Sequence, residues 1–289
     1  MIQIQKWNTY IKERSPLPAL FIISAAAAIT PLAMLHTFDL KVLIGSLIFT
    51  TLMLIQMRLG DEIKDFEKDK IIHPERPLPR GLLSIKEVTQ ALYAIFFLTL
   101  IVGTAIAFSI SMIGGISLAL TSLFAWLMYK EFFIGHALAK EPMTYALTHQ
   151  VIVFPLYAWV ALTFDPTLFN NTLFQGWLLA SFGASFTFEI CRKLDPNAHS
   201  LAATYAHHYG RPLTVFFVCL FLALAYYGSL TGGFLSWSGP ILVLVFLSLL
   251  AFLAKPKLYK AVEGTSVLLS LIIMWAPTFQ WLASLWGKK

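Results

Sequence analysis

The sequence predicts an all-α integral membrane protein, with nine transmembrane helices around a central cavity and the N-terminus in the cytoplasm. Three observations predict it. Of 289 residues, 58% are hydrophobic and only 12% are Asp, Glu, Lys or Arg, where soluble domains carry roughly 25% charge. Apolar runs long enough to cross a bilayer, about 20 residues, recur nine times. Lys and Arg alternate in density between successive loops, as their preference for cytoplasmic loops requires.

The runs lie near 17–36, 41–59, 88–110, 112–130, 143–163, 172–190, 212–230, 237–254 and 262–283. Each is expected to be helical, because a helix satisfies every backbone polar group within its own segment. "SMIGG" and "TGGFLSWSG" are so short that the helices they join must be antiparallel hairpins. Ahead of the first run, "MIQIQKWNTYIKERSPLP" mixes charges with aromatics and has no small-residue cleavage site after a short apolar core. It is expected to stay rather than to act as a removable signal.

With the N-terminus inside, the cytoplasmic segments carry Lys6, Lys12 and Arg14; Arg58, Lys64, Lys68, Lys70, Arg76, Arg80 and Lys86; Lys130 and Lys140; Arg192, Lys193 and Arg211; and Lys255, Lys257 and Lys260. These are 18 of the 21 basic residues, and only Lys41, Lys288 and Lys289 fall outside. One missed helix would scramble that alternation. The net charge of +6 follows from the same loop rule, so it does not call for nucleic acid as a partner. Compact loops and the absence of a targeting segment point to a bacterial cytoplasmic membrane. Cys191 and Cys219 are too few and too isolated for a disulfide framework or zinc cluster and are expected to be free thiols.

Polar chemistry concentrates in two loops on one membrane face, about 58–87 and 190–211. The stretch from Asp61, "DEIKDFEKDKIIHPERPLPRGLLS", and its continuation hold Asp61, Glu62, Asp65, Glu67, Asp69, Glu75 and Glu87, seven of the 15 acidic residues. Helical spacing puts Asp61, Asp65 and Asp69 on one stripe, with Glu62 one turn from Asp65, and like charges one turn apart destabilise a helix. Pro74, Pro77 and Pro79 then end the helix in an extended loop. One source of counter-charge is Mg2+, which takes carboxylate oxygens together with those of a phosphate-bearing substrate. Lys70, Arg76 and Arg80 suit a diphosphate. A solvated helix end, salt-bridged by Lys64 and Lys68, explains the charges too, but not their skew toward acid.

The stretch resembles the first aspartate-rich motif of the UbiA superfamily of intramembrane prenyltransferases, N-D-x-x-D-x-x-x-D followed by R-P-L-x-x-G. Asp61 falls on the Asn, Glu62 on the first Asp, Asp65 and Asp69 on the other two, and Arg76, Pro77, Leu78 and Gly81 on the loop. The resemblance implies a single domain over 1–289 with nine transmembrane helices. It also implies Mg2+-dependent ionisation of a polyprenyl diphosphate in the membrane and transfer of the prenyl group to a small hydrophobic, aromatic, quinone-precursor-like acceptor. Under it, Asp61, Glu62, Asp65 and Asp69 hold metal, Asp65 and Asp69 being catalytic, and Lys70, Arg76 and Lys130 bind diphosphate.

The family's second motif, an aspartate cluster, belongs after the sixth run, where this chain reads "FTFEICRKLDPNAHSLAATYAHHYG". Its acids are Glu189 and Asp195, candidates for a second metal or for charge balance, and Arg192 and Lys193 become direct diphosphate ligands. Glu189 with Arg192 and Lys193 also makes a helix-stabilising i, i+3 and i, i+4 set. Lys130, with Glu131 beside it, ends the fourth run, where snorkelling to the interface is the slightly favoured reading. His149 and Gln150 lie about two turns into the fifth run, and His149 is an acceptor-pocket candidate, although a hydrogen bond between helices explains both equally well. His199, His207 and His208 lack carboxylates at ligand spacing. The rival reading is a non-catalytic relative that binds or moves an isoprenoid lipid or quinone. An enzyme of phospholipid head groups is disfavoured because its upstream Asp-Gly and Ala-Arg signature is missing.

Overall fold

The computed structural model describes residues 3–202 and 205–286. Lys288 and Lys289, placed outside by the charge rule, lie beyond the described residues. The helices in chain order are α1 (Gln3–Arg14), α2 (Leu17–Met34), α3 (Leu40–Lys64), α4 (Phe66–Ile72), α5 (Ile85–Ser109), α6 (Met112–Tyr129), α7 (Gly135–Leu138), α8 (Pro142–Gln150), α9 (Val153–Thr163), α10 (Thr172–Cys191), α11 (Tyr205–Thr231), α12 (Leu235–Ala254) and α13 (Tyr259–Trp286). No strand occurs among the described residues.

Local chemistry sets several of these boundaries. Asp39 accepts from the amides of Lys41 and Val42 and starts α3. Ser84 and Glu87 form a capping box on α5, and Ser111 and Asn171 cap α6 and α10. Such side chains satisfy amides that have no partner inside the helix. The fifth run, expected as one helix, is broken at Val151 and Ile152 into α8 and α9. Pro155 has no amide to donate to Val151, and its ring crowds that carbonyl, so the break falls four residues before it.

Among the described residues, eight segments are long and apolar enough to span a bilayer: α2, α3, α5, α6, α8 with α9, α11, α12 and α13 with its leading turn. The expected sixth run, α10, is not among them. It packs against α2, α8, α9, α11 and α13 and buries Phe174, Trp177, Phe182 and Phe186. A helix enclosed by protein does not have to match the hydropathy of lipid tails, and α10 carries Gln175, Ser181, Ser185, Thr187 and Glu189. By contrast α5 presents Phe97, Ile101 and Phe108 outward.

Close backbone approach holds α10 to α11. A Cβ on Gly176 would lie 2.5 Å from the Gly228 carbonyl oxygen, and one on Gly228 would lie 2.5 Å from the Ala180 amide nitrogen, so small residues are required at that crossing. Trp177 donates from Nε1 to the Ile273 carbonyl of α13 at 3.1 Å, and Gln56 of α3 is tied to Ser122 of α6 through both ends of its amide. Phe49, Trp159, Phe174, Trp177 and Phe186 belong to one buried cluster. The charged side chains gather instead at the end of the bundle that carries the loop after α3.

Candidate active site

The acidic stripe is built as one helical ladder. The Asp65 amide donates to the Asp61 carbonyl at 2.9 Å, that of Asp69 to Asp65 at 2.8 Å, and that of His73 to Asp69 at 2.8 Å. Asp65, at φ −88° and ψ 0°, marks the slight bend between α3 and α4. Beyond it, α4 packs against the 3-10 turn at Ser200–Ala202, so the two polar loops meet on one face. Asp61 is among the charges acting on Arg192.

The carboxylates of the stripe have different partners. Asp61 is half exposed and takes the Lys64 ammonium at 3.0 Å. Asp65 makes no side-chain hydrogen bond or ion pair among the described residues, and burial holds its carboxyl above the ordinary range, with Lys64 pulling the other way. Glu62 is buried, with Oε1 on Arg14 Nε at 2.6 Å and Oε2 without a partner. Asp69 is buried and is gripped by Arg76 Nη1 through both oxygens, at 2.8 and 2.7 Å.

The basic candidates separate in the same way. Arg76 is committed to Asp69, while Lys70 is exposed, paired with Glu67 and set over the Phe66 ring. Arg80 grips Glu13 of α1 through two nitrogens. Lys130 lies over the Tyr129 ring with no carboxylate partner among the described residues. Beyond the end of α10, Arg192 and Lys193 both hold Glu189, at 2.6 and 2.7 Å. Burial works against the Arg192 charge, but Glu189 and then Asp61 outweigh it and hold the group above its ordinary range. Asp195 caps Asn197 and pairs with the Tyr259 hydroxyl.

Opposite α3 stands an aromatic wall. His149 stacks on Tyr145 with ring centres 4.2 Å apart, its Nδ1 lies 2.8 Å from the Tyr145 carbonyl, and its Nε2 is buried without a partner. Phe132 meets His149 edge-on at 5.6 Å. The Lys64 ammonium lies 5.5 Å from the Tyr145 ring centre, and the Tyr145 hydroxyl donates to Glu131 at 3.2 Å. Glu131, Phe132 and Phe133 form a left-handed turn with φ of 48°, 52° and 59°, a conformation side chains rarely adopt. Lys64 and Tyr145 were not candidates on sequence. The signal for Tyr145 was its place one turn before His149.

A group of three or more His, Cys, Asp or Glu side chains close enough to hold an ion is not found among the described residues. Mg2+, however, is usually held by one or two carboxylates plus phosphate oxygens and water. Asp61 and Asp65, one helical turn apart, with Asp65 lacking any hydrogen-bond partner, fit that donor set. Glu62 and Asp69 already have their charge met by Arg14 and Arg76.

The family model of the UbiA prenyltransferase family matches residues 19–266. A solved structure of digeranylgeranylglyceryl phosphate synthase is similar in fold, with a TM-score of 0.62 and 16% identity over 94% of this chain and 99% of that one. A search of curated proteins finds no match. The match over most of the chain, the helical membrane fold and the motif on α3 and α4 lead to one conclusion: the chain belongs to the UbiA prenyltransferase family.

Proposed function

We propose that the protein transfers a prenyl group, in the membrane, from a polyprenyl diphosphate to a small hydrophobic acceptor of aromatic, quinone-precursor type. The observation that carries this reading is that Arg192, from the end of α10, comes near enough to Asp61 of α3 to feel its charge, one turn from the unpaired Asp65, in a chain of a prenyltransferase family. Asp61 and Asp65 would hold Mg2+, which when bound neutralises diphosphate charge and eases loss of the leaving group. Arg192 and Lys193, kept in place by Glu189, donate to the diphosphate oxygens. Lys64, set between Asp61 and the Tyr145 ring, adds positive charge at the same mouth. The faces of Tyr145, His149 and Phe132 shelter the allylic carbon from water and stabilise positive charge there, as aromatic faces do. Asp69 and Arg76 serve by locking the loop after α4 through their bidentate pair.

The non-catalytic reading has one observation in its favour: Glu62, Asp69 and Glu189 all have their charge met by arginine or lysine. A single experiment separates the two. A non-hydrolysable farnesyl or geranylgeranyl diphosphate analogue is titrated into purified protein with and without Mg2+, in the wild type and in Asp65→Asn. Binding that requires Mg2+ and weakens in the variant supports transfer. Failure to bind under any condition makes lipid or quinone binding the better account.

A further inference from the structure

A cavity of about 290 Å3 lies beneath α1, lined by Trp7, Tyr10, Ile11 and Ser15, by Leu17 and Leu20 of α2, by Ile55, Arg58 and Leu59 of α3, and by Ala91 and Ile95 of α5. Its size approaches the lower end of small-molecule sites, about 300 Å3. Arg58 is its one charged group. The second cavity of similar volume, about 270 Å3 between α6 and the α8–α9 break, has no charged residue in its wall.

Two polar groups in this wall lack partners. Arg14, Arg76, Arg80 and Arg192 each hold a carboxylate, but Arg58 makes no ion pair or hydrogen bond among the described residues. Tyr10 is 3% exposed and its hydroxyl has no partner. Among charges, Glu62, its own met by Arg14, acts most strongly on the Tyr10 phenol, and Arg58 comes next. A buried hydroxyl left without a hydrogen bond is costly, and a guanidinium offers a fork of donors shaped for phosphate oxygens.

We infer that this cavity binds one anionic phospholipid, its phosphate on Arg58 and the Tyr10 hydroxyl and one acyl chain between α1, α3 and α5. The surroundings select that occupant by charge and shape. On α1, Lys6 and Lys12 carry no carboxylate partner, while the helix's acid, Glu13, is occupied by Arg80. The mouth opens beside α2, whose Leu17 and Phe21 are 64% and 67% exposed and give a second acyl chain a surface to lie along. Trp7 suits the interfacial level, where aromatic rings are enriched. This site does not depend on the reading of Asp61 and Asp65.

The test uses full-length protein in detergent, washed free of lipid and titrated with phosphatidylglycerol or phosphatidylcholine of matched chains. Bound lipid is counted by native mass spectrometry and unfolding followed by Tm. Phosphatidylglycerol should be retained at one per chain and raise Tm, with phosphatidylcholine about tenfold weaker, the discrimination expected of one charge-assisted contact. Arg58→Gln should erase the difference, Arg58→Lys should keep part of it, and Ala91→Trp should abolish retention by filling the cavity. If Arg58→Gln fails to fold, the Lys and Trp variants decide. Equal retention of both lipids, unchanged preference in Arg58→Gln, or one-for-one displacement of the lipid by a prenyl diphosphate analogue would each overturn the proposal.

Discussion

Under the proposed function, Asp65 is the residue where stability and function are set against each other. Its carboxyl is held above the ordinary range by burial, so the folded chain binds that proton more tightly than the unfolded chain does. The contribution of Asp65 to the stability of metal-free protein should therefore fall as pH rises through and past the ordinary carboxylate value. Asp65→Asn removes that loss, so without metal the variant should have the higher Tm at neutral pH, with its advantage over the wild type shrinking as pH falls below the ordinary carboxylate value. Its Mg2+-dependent analogue binding should fall by more than the ~10–100-fold that loss of an outer-shell metal partner costs. A variant with lower Tm at neutral pH would contradict this account of the carboxylate. Strain gives a second test at this scale. Phe133 has φ 59° and is exposed, and a left-handed conformation costs a side chain roughly 1–2 kcal/mol. Phe133→Gly should be neutral to stabilising by about 1 kcal/mol, whereas the β-branched Phe133→Val should be destabilising by at least that much, both read by thermal unfolding in one detergent.

Among the elements, α1 holds the acidic stripe through Glu62, a contact the sequence concealed. It lies across the ends of α3 and α5 with Arg14 on Glu62, Glu13 on Arg80 and Gln3 on Glu87. Breaking a buried pair strands the remaining charge, at a cost of about 3–5 kcal/mol. Arg14→Met should therefore lower stability by roughly 3 kcal/mol, since Arg14 keeps some exposure, and Arg14→Met with Glu62→Gln should recover most of it. Equal Tm for the single and double variants would show that the pair carries no such penalty. The apolar runs were legible because about 20 residues of oil have few other uses in a chain. The ladder from Asp61 to Asp69 was legible because its spacing is that of a helix. The pairing of Arg14 with Glu62 was not, because it joins residues 48 apart in sequence, and no local pattern reports a contact between separate elements. Asp69 and Arg76 are seven apart across Pro74, and their grip follows from how the loop folds back. Consequently the motif singled out this stretch but did not say that two of its four acids would have their charge met by arginine. The break between α8 and α9 could have been read from Pro155, and the kink at Gly210, φ 73°, from Gly210 and Pro212.

At the scale of the whole molecule, the separation of charge along the bundle predicts which compartment the site serves. α3 has 25 residues, about 37 Å at 1.5 Å per residue, enough to cross the roughly 30 Å hydrocarbon core, so its two ends face opposite sides. Lys41 opens it with one basic residue, and Arg58, Lys64, Lys68, Lys70, Arg76, Arg80 and Lys86 cluster at or beyond its other end. The preference of basic loops for the cytoplasm then predicts that the acidic stripe, α1 and the end of α10 lie inside, where a soluble pool could supply Mg2+. Lys70 and Lys41 are both exposed, whereas Cys191 is buried and Cys219 half-buried, so a single introduced cysteine can report each end above a low background. In sealed membrane vesicles of known orientation, a membrane-impermeant maleimide should label Lys70→Cys only when the cytoplasmic face is outward and Lys41→Cys only when it is inward. The reverse pattern would place Asp61 and Asp65 on the far side and defeat the charge argument for the whole bundle. Labelling of both variants from the same side would show instead that α3 does not cross the membrane.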